Sequence, residues 1–447
     1  MDHSGQQEII HANRIGFHYF PDTLHFTEPE IQRWIPILKR FQVNWLAVLS
    51  STRRAIPEVF IQACCSEKIN LFIDFALTPA ESNIFPEIEP LIRAYGKWGG
   101  KYILLDHAPN MRVSWGTSGW GDPNLIAGYC ERFMKFAEIA LENGIHPVFP
   151  PLQPGGDYWD LAFLKNCMVY LAGNASGSII NNLTFCAYGW DFGKSLDWGA
   201  GGPSSWPRAK AYHLDGQSEN QLGFRAYEWH SATIESVFSR KFPFHLLQIG
   251  HPGILNNSVS VHWMPDFSKQ DTVIRLLNRE NVYDPQKPDY LLNHIHEEVL
   301  SGFFHLLASD NPTDLDSQWF SAQGEALAPA QAYAVRHKAV SQPSGEKSAS
   351  PPSQKLEFQY KRYILLSEDL RTEAPDILAE MQPYLDRYNP IVGYSIHKAA
   401  QSAMIIYITR DWQTDEEVLR KLRYGGNLVK QVHRDEIPNL LVEINRA

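Results

Sequence analysis

Cysteine is scarce in this chain: Cys64, Cys65, Cys130, Cys167 and Cys186 are the five in 447 residues, with no Cys-x-x-Cys among them. No histidine pair stands at zinc-ligand spacing either, so a disulfide framework and a structural zinc are both excluded. His294 and His296 are two residues apart and would not share a helix face, which makes them a poor metal site. There is no basic run and the formal net charge is −10. Nothing can therefore neutralise a phosphate backbone, and no nucleic-acid partner is expected. No window approaches the roughly 18 uninterrupted apolar residues that a membrane span needs. The opening MDHSGQQEIIHANRIGFHYF lacks a basic stretch followed by an apolar one, so no secretory signal is expected and the cytoplasm is the expected compartment. Phosphate-binding and nucleophile-elbow signatures are missing too. There is no P-loop, no Gly-x-Ser-x-Gly, and no G-x-G-x-x-G, so no cofactor is expected.

What the chain has in quantity is aromatic side chains: 13 Trp, 19 Tyr and 23 Phe, against a hydrophobic content of 44% and a charged content of 20%. Many stand beside Gly, Pro, Asp and Asn rather than inside apolar runs, among them Trp115, Trp120, Tyr158, Trp159, Trp190, Trp198 and Trp206. Half of these are expected to pack loops. The other half suggest a surface that stacks flat ligands, of which sugar rings are the commonest.

From Arg14 to about Val340, short apolar strands alternate with amphipathic helices. The strands are expected at 15–20, 44–50, 70–75, 102–106, 146–150, 182–188, 244–250 and 303–309. Helices are expected over EPEIQRWIPILKRF, PEVFIQACCSEK, FPEIEPLIRAYGKW, NLIAGYCERFMKFAEIALENG, YWDLAFLKNCMVYLAG and FRAYEWHSATIESVFSRK, within YLLNHIHEEVLSG, and near APAQAYAVRHKAV. Eight such units over roughly 330 residues imply an α/β (β/α)8 TIM barrel spanning 1–340. An open doubly wound sheet would want glycines after the first strand, where the chain reads Phe20-Pro21-Asp22. The Ser/Pro-rich segment SQPSGEKSASPPSQ (341–354) is a linker. Residues 355–447 then form a small two-layer α/β domain. Its strands are QYKRYILLS and the pair IVGYSIHKA and AMIIYIT, and its helices APDILAEMQPYLDRY and DEEVLRKLRYGG. No catalytic constellation is visible in it, and its expected role is stabilisation or the docking of a protein partner.

Barrel enzymes build their sites at the carboxyl ends of the strands. Those positions supply His18 and Asp22, Ser50 and Ser51, Asp74, Asp106 and His107, Gln153 and Asp157, Tyr188, Trp190 and Asp191, Gln248 and His251, and Ser309 and Asp310. This is a polar mouth rimmed with aromatics, suited by composition to a carbohydrate. The strand-four exit Ala108-Pro109-Asn110, the loop VFPPLQPGGDYWDLAFL and FFHLLASDNPTDLDSQWF with Trp319 follow one another in an order that resembles a glycosidase clan. That clan is the retaining (β/α)8 glycoside hydrolases whose strand four ends in Asn-Glu-Pro-Asn and whose strand seven ends in a nucleophilic Glu. The resemblance implies a glycan cleft contacted by His18, His107, Asn110, Tyr188, Trp190, Gln248, His251 and Trp319.

It also implies a changed catalytic apparatus. If Pro109 and Asn110 match the clan's Pro-Asn, the acid/base position is Ala108, and the nucleophile position falls on Gln248. An alanine donates no proton and an amide forms no glycosyl ester. Three readings stay open: a barrel that binds a glycan without cleaving it; an active hydrolase with relocated carboxylates drawn from Asp106, Asp74 and Asp191; and a scaffold whose mouth is filled by its own chain.

Overall fold

The computed structural model describes residues 13–81, 83–209, 219–255, 258–264, 267–284, 287–311, 318–327, 329–334, 360–388, 390–399, 402–410 and 428–438. The chain divides into two compact units, 1–342 and 343–447.

The first unit is a closed barrel of eight parallel strands. They are β1 (Ile15–His18), β2 (Trp45–Leu49), β3 (Asn70–Leu77), β4 (Tyr102–Asp106), β5 (His146–Phe149), β6 (Thr184–Trp190), β7 (Phe244–Leu255) and, closing back onto β1, a strand at Val299–Phe304. The register runs Phe17 to Leu46, Leu46 to Leu71, Ile73 to Ile103, Leu104 to Val148, Phe149 to Phe185 and Ala187 to Leu246. Leu246 to Gly302 and Gly16 to Phe303 complete the ring. Beyond its barrel portion β7 turns back as an antiparallel hairpin with β8 (Ser258–Met264), and a two-stranded ribbon, β9 (Tyr283–Asp284) and β10 (Lys287–Leu291), precedes the closing strand, β11.

The helices follow their sequence signals. α1 (Glu28–Arg40) starts with acidic residues and a proline in its first turn and ends on Lys39 and Arg40, both favourable to the helix dipole. It turns Trp34 and Leu38 into the core. α2 (Glu58–Ser66) and α3 (Phe85–Trp98) lie before β3 and β4. α4 (Leu125–Glu142) stops where Gly144 takes a left-handed backbone, φ 73°. α5 (Asp160–Asn174) and α6 (Ala226–Phe238) complete the outer layer seen by sequence.

The interval before the closing strand differs from expectation. Its helix is α7, Phe267–Leu277, and YLLNHIHEEVLSG is not helical. Buried Arg225 donates to the carbonyls of Asn293 and His294, and Asp197 accepts from the Asn293 backbone and side chain, so this stretch is held extended. The eighth strand is also displaced, lying at Val299–Phe304 rather than 303–309. Leu306, Leu307 and Ala308 are buried because they run on beside the β1 exit, Leu307 N–H donating to His18 O and Ala308 N–H to Tyr19 O. The helix expected near 328–340 is described only at 329–334.

Strand alternation sends Trp45, Phe72, Tyr102, Leu104, Val148, Cys186, Leu247 and Phe303 into the barrel axis, where they form a core separate from the strand–helix core. Gly16 faces the same way. A Cβ there would stand 2.7 Å from the Phe303 ring and 2.8 Å from Trp45 Cβ, so only glycine fits. His245 fills the lower axis, its ring centroid 4.6 Å from Tyr102, 5.1 Å from Phe72 and 5.4 Å from Trp45.

The second unit is a four-stranded parallel sheet in the order β13 (Ile391–Gly393), β12 (Tyr360–Leu366), β14 (Ser402–Thr409), β15 (Leu428–His433). α8 (Ala374–Glu380) and α9 (Gln382–Tyr388) cover one face, where Ile377, Met381 and Tyr384 pack on Ile364, Leu366, Ile406 and Ile408. β13 and β14 flank β12 instead of pairing with each other, and β15 is a strand the apolar pattern did not signal. The helix expected over DEEVLRKLRYGG lies outside the described residues, as does the linker.

Candidate functional site

The period-two alternation that sends Gly16, Phe72 and Cys186 inward places His18, Asp74 and Tyr188 inward two residues later, at the carboxyl ends of β1, β3 and β6. There they meet. His107, just past β4, has Nε2 2.8 Å from Asp74 Oδ2 and Nδ1 3.3 Å from the Tyr188 hydroxyl. Asp74 Oδ1 accepts from Ala76 N–H at 2.8 Å. Tyr188 lies flat on Trp190, centroids 4.1 Å apart and planes 11° apart, and Phe192 meets Trp190 edge-on. From β7, Gln248 donates its backbone N–H to His18 Nε2 at 3.1 Å.

Burial lowers the pKa of His18 to about 4; the Asp74 charge opposes this and His107 adds to it. For His107 burial also acts downward, but the Asp74 carboxylate more than offsets it and the pKa is raised. His305, the first residue beyond β11, is held well below the usual histidine range by burial and by His18.

Two strand exits carry non-glycine residues with left-handed backbone at the positions where the clan resemblance sets its glutamates: Ala108 at φ 43° and Gln248 at φ 51°. Such a conformation costs an alanine or glutamine on the order of 1 kcal/mol and persists only where the surroundings enforce it. At Ala108 the enforcing contacts are its N–H to Pro151 O and its carbonyl accepting from Ser114 Oγ. At Gln248 it is the bond to His18. The Gln248 side-chain amide makes no hydrogen bond among the described residues.

The three carboxylates proposed as relocated catalysts are each in an ion pair. Asp106 is buried, and Arg132 of α4 grips it at two points, Nε to Oδ2 at 3.0 Å and an Nη to Oδ1 at 2.9 Å. Arg132 also donates to the Glu81 and Thr78 carbonyls, so the pair ties the β3 and β4 exits to the outer helix layer. Asp191 is buried and accepts from Lys269 Nζ at 3.0 Å and from Gly193 N–H at 2.8 Å. Asp74 is paired with His107, whose side chain is 21% exposed and is the most open member of any of these pairs.

Of the other residues expected at the site, Asn110 is fully buried. Its amide donates to the Gln153 and Tyr158 carbonyls and accepts from Gln153 N–H, which staples the β4 exit to the β5 exit loop. Trp319 is buried in the strand–helix core, edge-on to Phe17 at 4.9 Å and beside Phe304, away from the axial cluster. The backbone of His251 lies in β7, paired with Met264; its side chain is outside the described residues. Several loop aromatics serve packing: Trp115, Trp198 and Trp206 each donate their indole N–H to a backbone carbonyl.

Sequence reasoning did not single out Arg132, Lys269, His305 or Lys194. The last extends over the Trp198 ring, 4.2 Å from its centroid, and bonds Asn220 Oδ1; burial lowers its pKa to about 8. Among the described residues no cluster of His, Cys, Asp and Glu has the makings of a metal site, and no helix is long and apolar enough to cross a membrane.

The fold is thus that of a (β/α)8 barrel with a polar, aromatic carboxyl-end mouth. No protein-family model and no curated protein matches the chain. Solved structures similar to it are glycoside hydrolases. One is a GH128 subgroup II endo-β-1,3-glucanase from Sorangium cellulosum, 11% identical over 72% of this chain and 97% of that one, TM-score 0.39. Another is Gas2p of Saccharomyces cerevisiae in complex with laminaritetraose and laminaripentaose, 10% identical over 73% of this chain and 63% of that one, TM-score 0.40. A monomeric β-xylosidase from Caulobacter crescentus is 11% identical over 73% of this chain and 68% of that one, TM-score 0.43.

Proposed function

We propose that the barrel recognises a glycan at its carboxyl-end mouth and does not cleave it by double displacement. The observation that carries this reading is the pairing pattern. Gln248 occupies the strand-seven exit with an uncommitted amide, while Asp106 and Asp191 are held by Arg132 and Lys269 and Asp74 is bonded to His107. Retaining hydrolysis needs two free carboxyl groups about 5 Å apart, and inversion needs two about 6.5–9.5 Å apart. A buried carboxylate gripped by arginine or lysine neither gives up a proton readily nor attacks an anomeric carbon. Sugar binding asks only for an apolar ring face and fixed donors and acceptors, and the Tyr188–Trp190 stack with His18, His107 and Gln248 supplies both kinds of group.

The test is a glycan array on the full chain with product release followed for every sugar that binds. Laminari-oligosaccharides and xylo-oligosaccharides serve as first probes. Binding without release supports the proposal. Release that disappears in Asp106→Asn or Asp74→Asn, with folding intact, replaces it by hydrolysis through relocated carboxylates. Failure of every sugar to bind leaves a scaffold.

A further inference from the structure

The hydrogen bond between Gln248 and His18 fixes more than a loop. A backbone N–H can only donate, so His18 Nε2, 3.1 Å away, must offer its lone pair, and the ring's single proton stands on Nδ1. His18 shares the inward face of β1 with Gly16, so this Nδ1–H belongs to the barrel mouth. No described residue accepts from it. The charged or titratable groups around the ring are Asp74 from β3, His107 from the β4 exit and His305 from the β11 exit. Asp74 is already paired with His107, and His305 is neutral. The backbone of Gln248 reaches His18, and its side-chain amide, which is uncharged, makes no hydrogen bond among the described residues. Asp106 and Asp191 are held by Arg132 and Lys269, and His18 and the Gln248 amide are both uncharged.

We infer that His18, as a fixed Nδ1–H donor, and the Gln248 amide together determine specificity for an uncharged sugar, each bonding one of two neighbouring hydroxyls. A uronate or sulfated sugar in the same position would face the Asp74 carboxylate, and no lysine or arginine is among the groups that act on the His18 ring. The loss of a charged group's hydration would then go uncompensated. This inference rests on the glycan reading above and adds the charge class of the ligand. It also ties the left-handed backbone at Gln248 to a purpose, since the same N–H that locks His18 is presented by that conformation.

The experiment has two independent arms on the full chain. In the first, titration calorimetry compares laminaripentaose and xylopentaose with tetragalacturonate and a chondroitin sulfate tetrasaccharide. Binding by a neutral probe, unchanged between about 0.05 and 0.5 M salt, is the expected result. His18→Phe and Gln248→Met should each weaken it by about tenfold, one lost hydrogen bond's worth, with thermal unfolding showing both variants folded. Binding confined to the anionic probes, weakening as salt rises, overturns the inference and leaves the glycan reading standing; no binding by any sugar sinks both. In the second arm, 15N imidazole NMR of the unmodified chain reads the His18 tautomer directly, assigned by difference against His18→Gln. An Nδ1–H tautomer at neutral pH that persists down to about pH 5 is expected. An Nε2–H tautomer or an imidazolium there overturns the inference even if a variant fails to fold.

Discussion

Replacing Asp106 by asparagine separates a strut from a catalyst. Both members of the Asp106–Arg132 pair are buried, their side chains 2% and 9% exposed, and two hydrogen bonds join them. Removing one partner of such a pair strands the other's charge, at a cost of about 3–5 kcal/mol. Arg132 would keep its bonds to the Glu81 and Thr78 carbonyls, so the loss belongs at the low end, about 3 kcal/mol. Urea unfolding of the full chain, followed by tryptophan fluorescence, should show it as a lower midpoint at unchanged slope. Arg132→Met, which leaves the carboxylate alone in the same place, should cost at least as much. The double variant should fall short of the summed losses by about 2 kcal/mol, because the second substitution removes a charge already unpartnered. Additive losses, or an Asp106→Asn variant within about 1 kcal/mol of the parent that has lost a measured hydrolytic activity, would refute the strut assignment.

Three further outcomes follow from the geometry. Gln248→Gly relieves the left-handed backbone but loosens the unfolded chain, so stability should stay within about 1 kcal/mol of the parent while sugar binding weakens; Gln248→Val, branched at Cβ, should cost about 2 kcal/mol by thermal unfolding. Ala108→Glu combined with Gln248→Glu puts carboxyls at both positions the clan uses, and reducing-sugar release should appear in the double variant and in neither single one. His25 lies between Asp22 and Asp310, at 2.9 Å from each, and stacks on Phe20; burial pulls its pKa down, but the two carboxylates raise it overall. Its contribution to stability is therefore complete below about pH 6.5 and lost as pH climbs through the raised folded value, so the melting-temperature gap between the parent and His25→Asn should close on the alkaline side.

Seven of the eight barrel strands were legible because a strand buried on both faces reads as a short apolar run between turn residues, as in YILLD or NLFIDF. The eighth was misplaced for the same reason. Leu306, Leu307 and Ala308 remain buried after the strand has ended, so the apolar run outlasts the ladder. The mouth was legible where alternation reaches it, at His18, Asp74 and Tyr188, since position on a strand decides which way a side chain points. Asp106 shows the limit: its partner lies 26 residues away on a helix, and nothing in the local pattern marks Arg132 as facing the strand. Trp319 shows another, because a tryptophan among polar loop residues reads alike whether it lies on a sugar or on Phe17.

Phe72, Tyr102, His245, Phe303 and Trp45 close the barrel axis from below. A ligand of the mouth would therefore meet a cul-de-sac: it would enter and depart by the same doorway, and a second could settle only after the first had backed out.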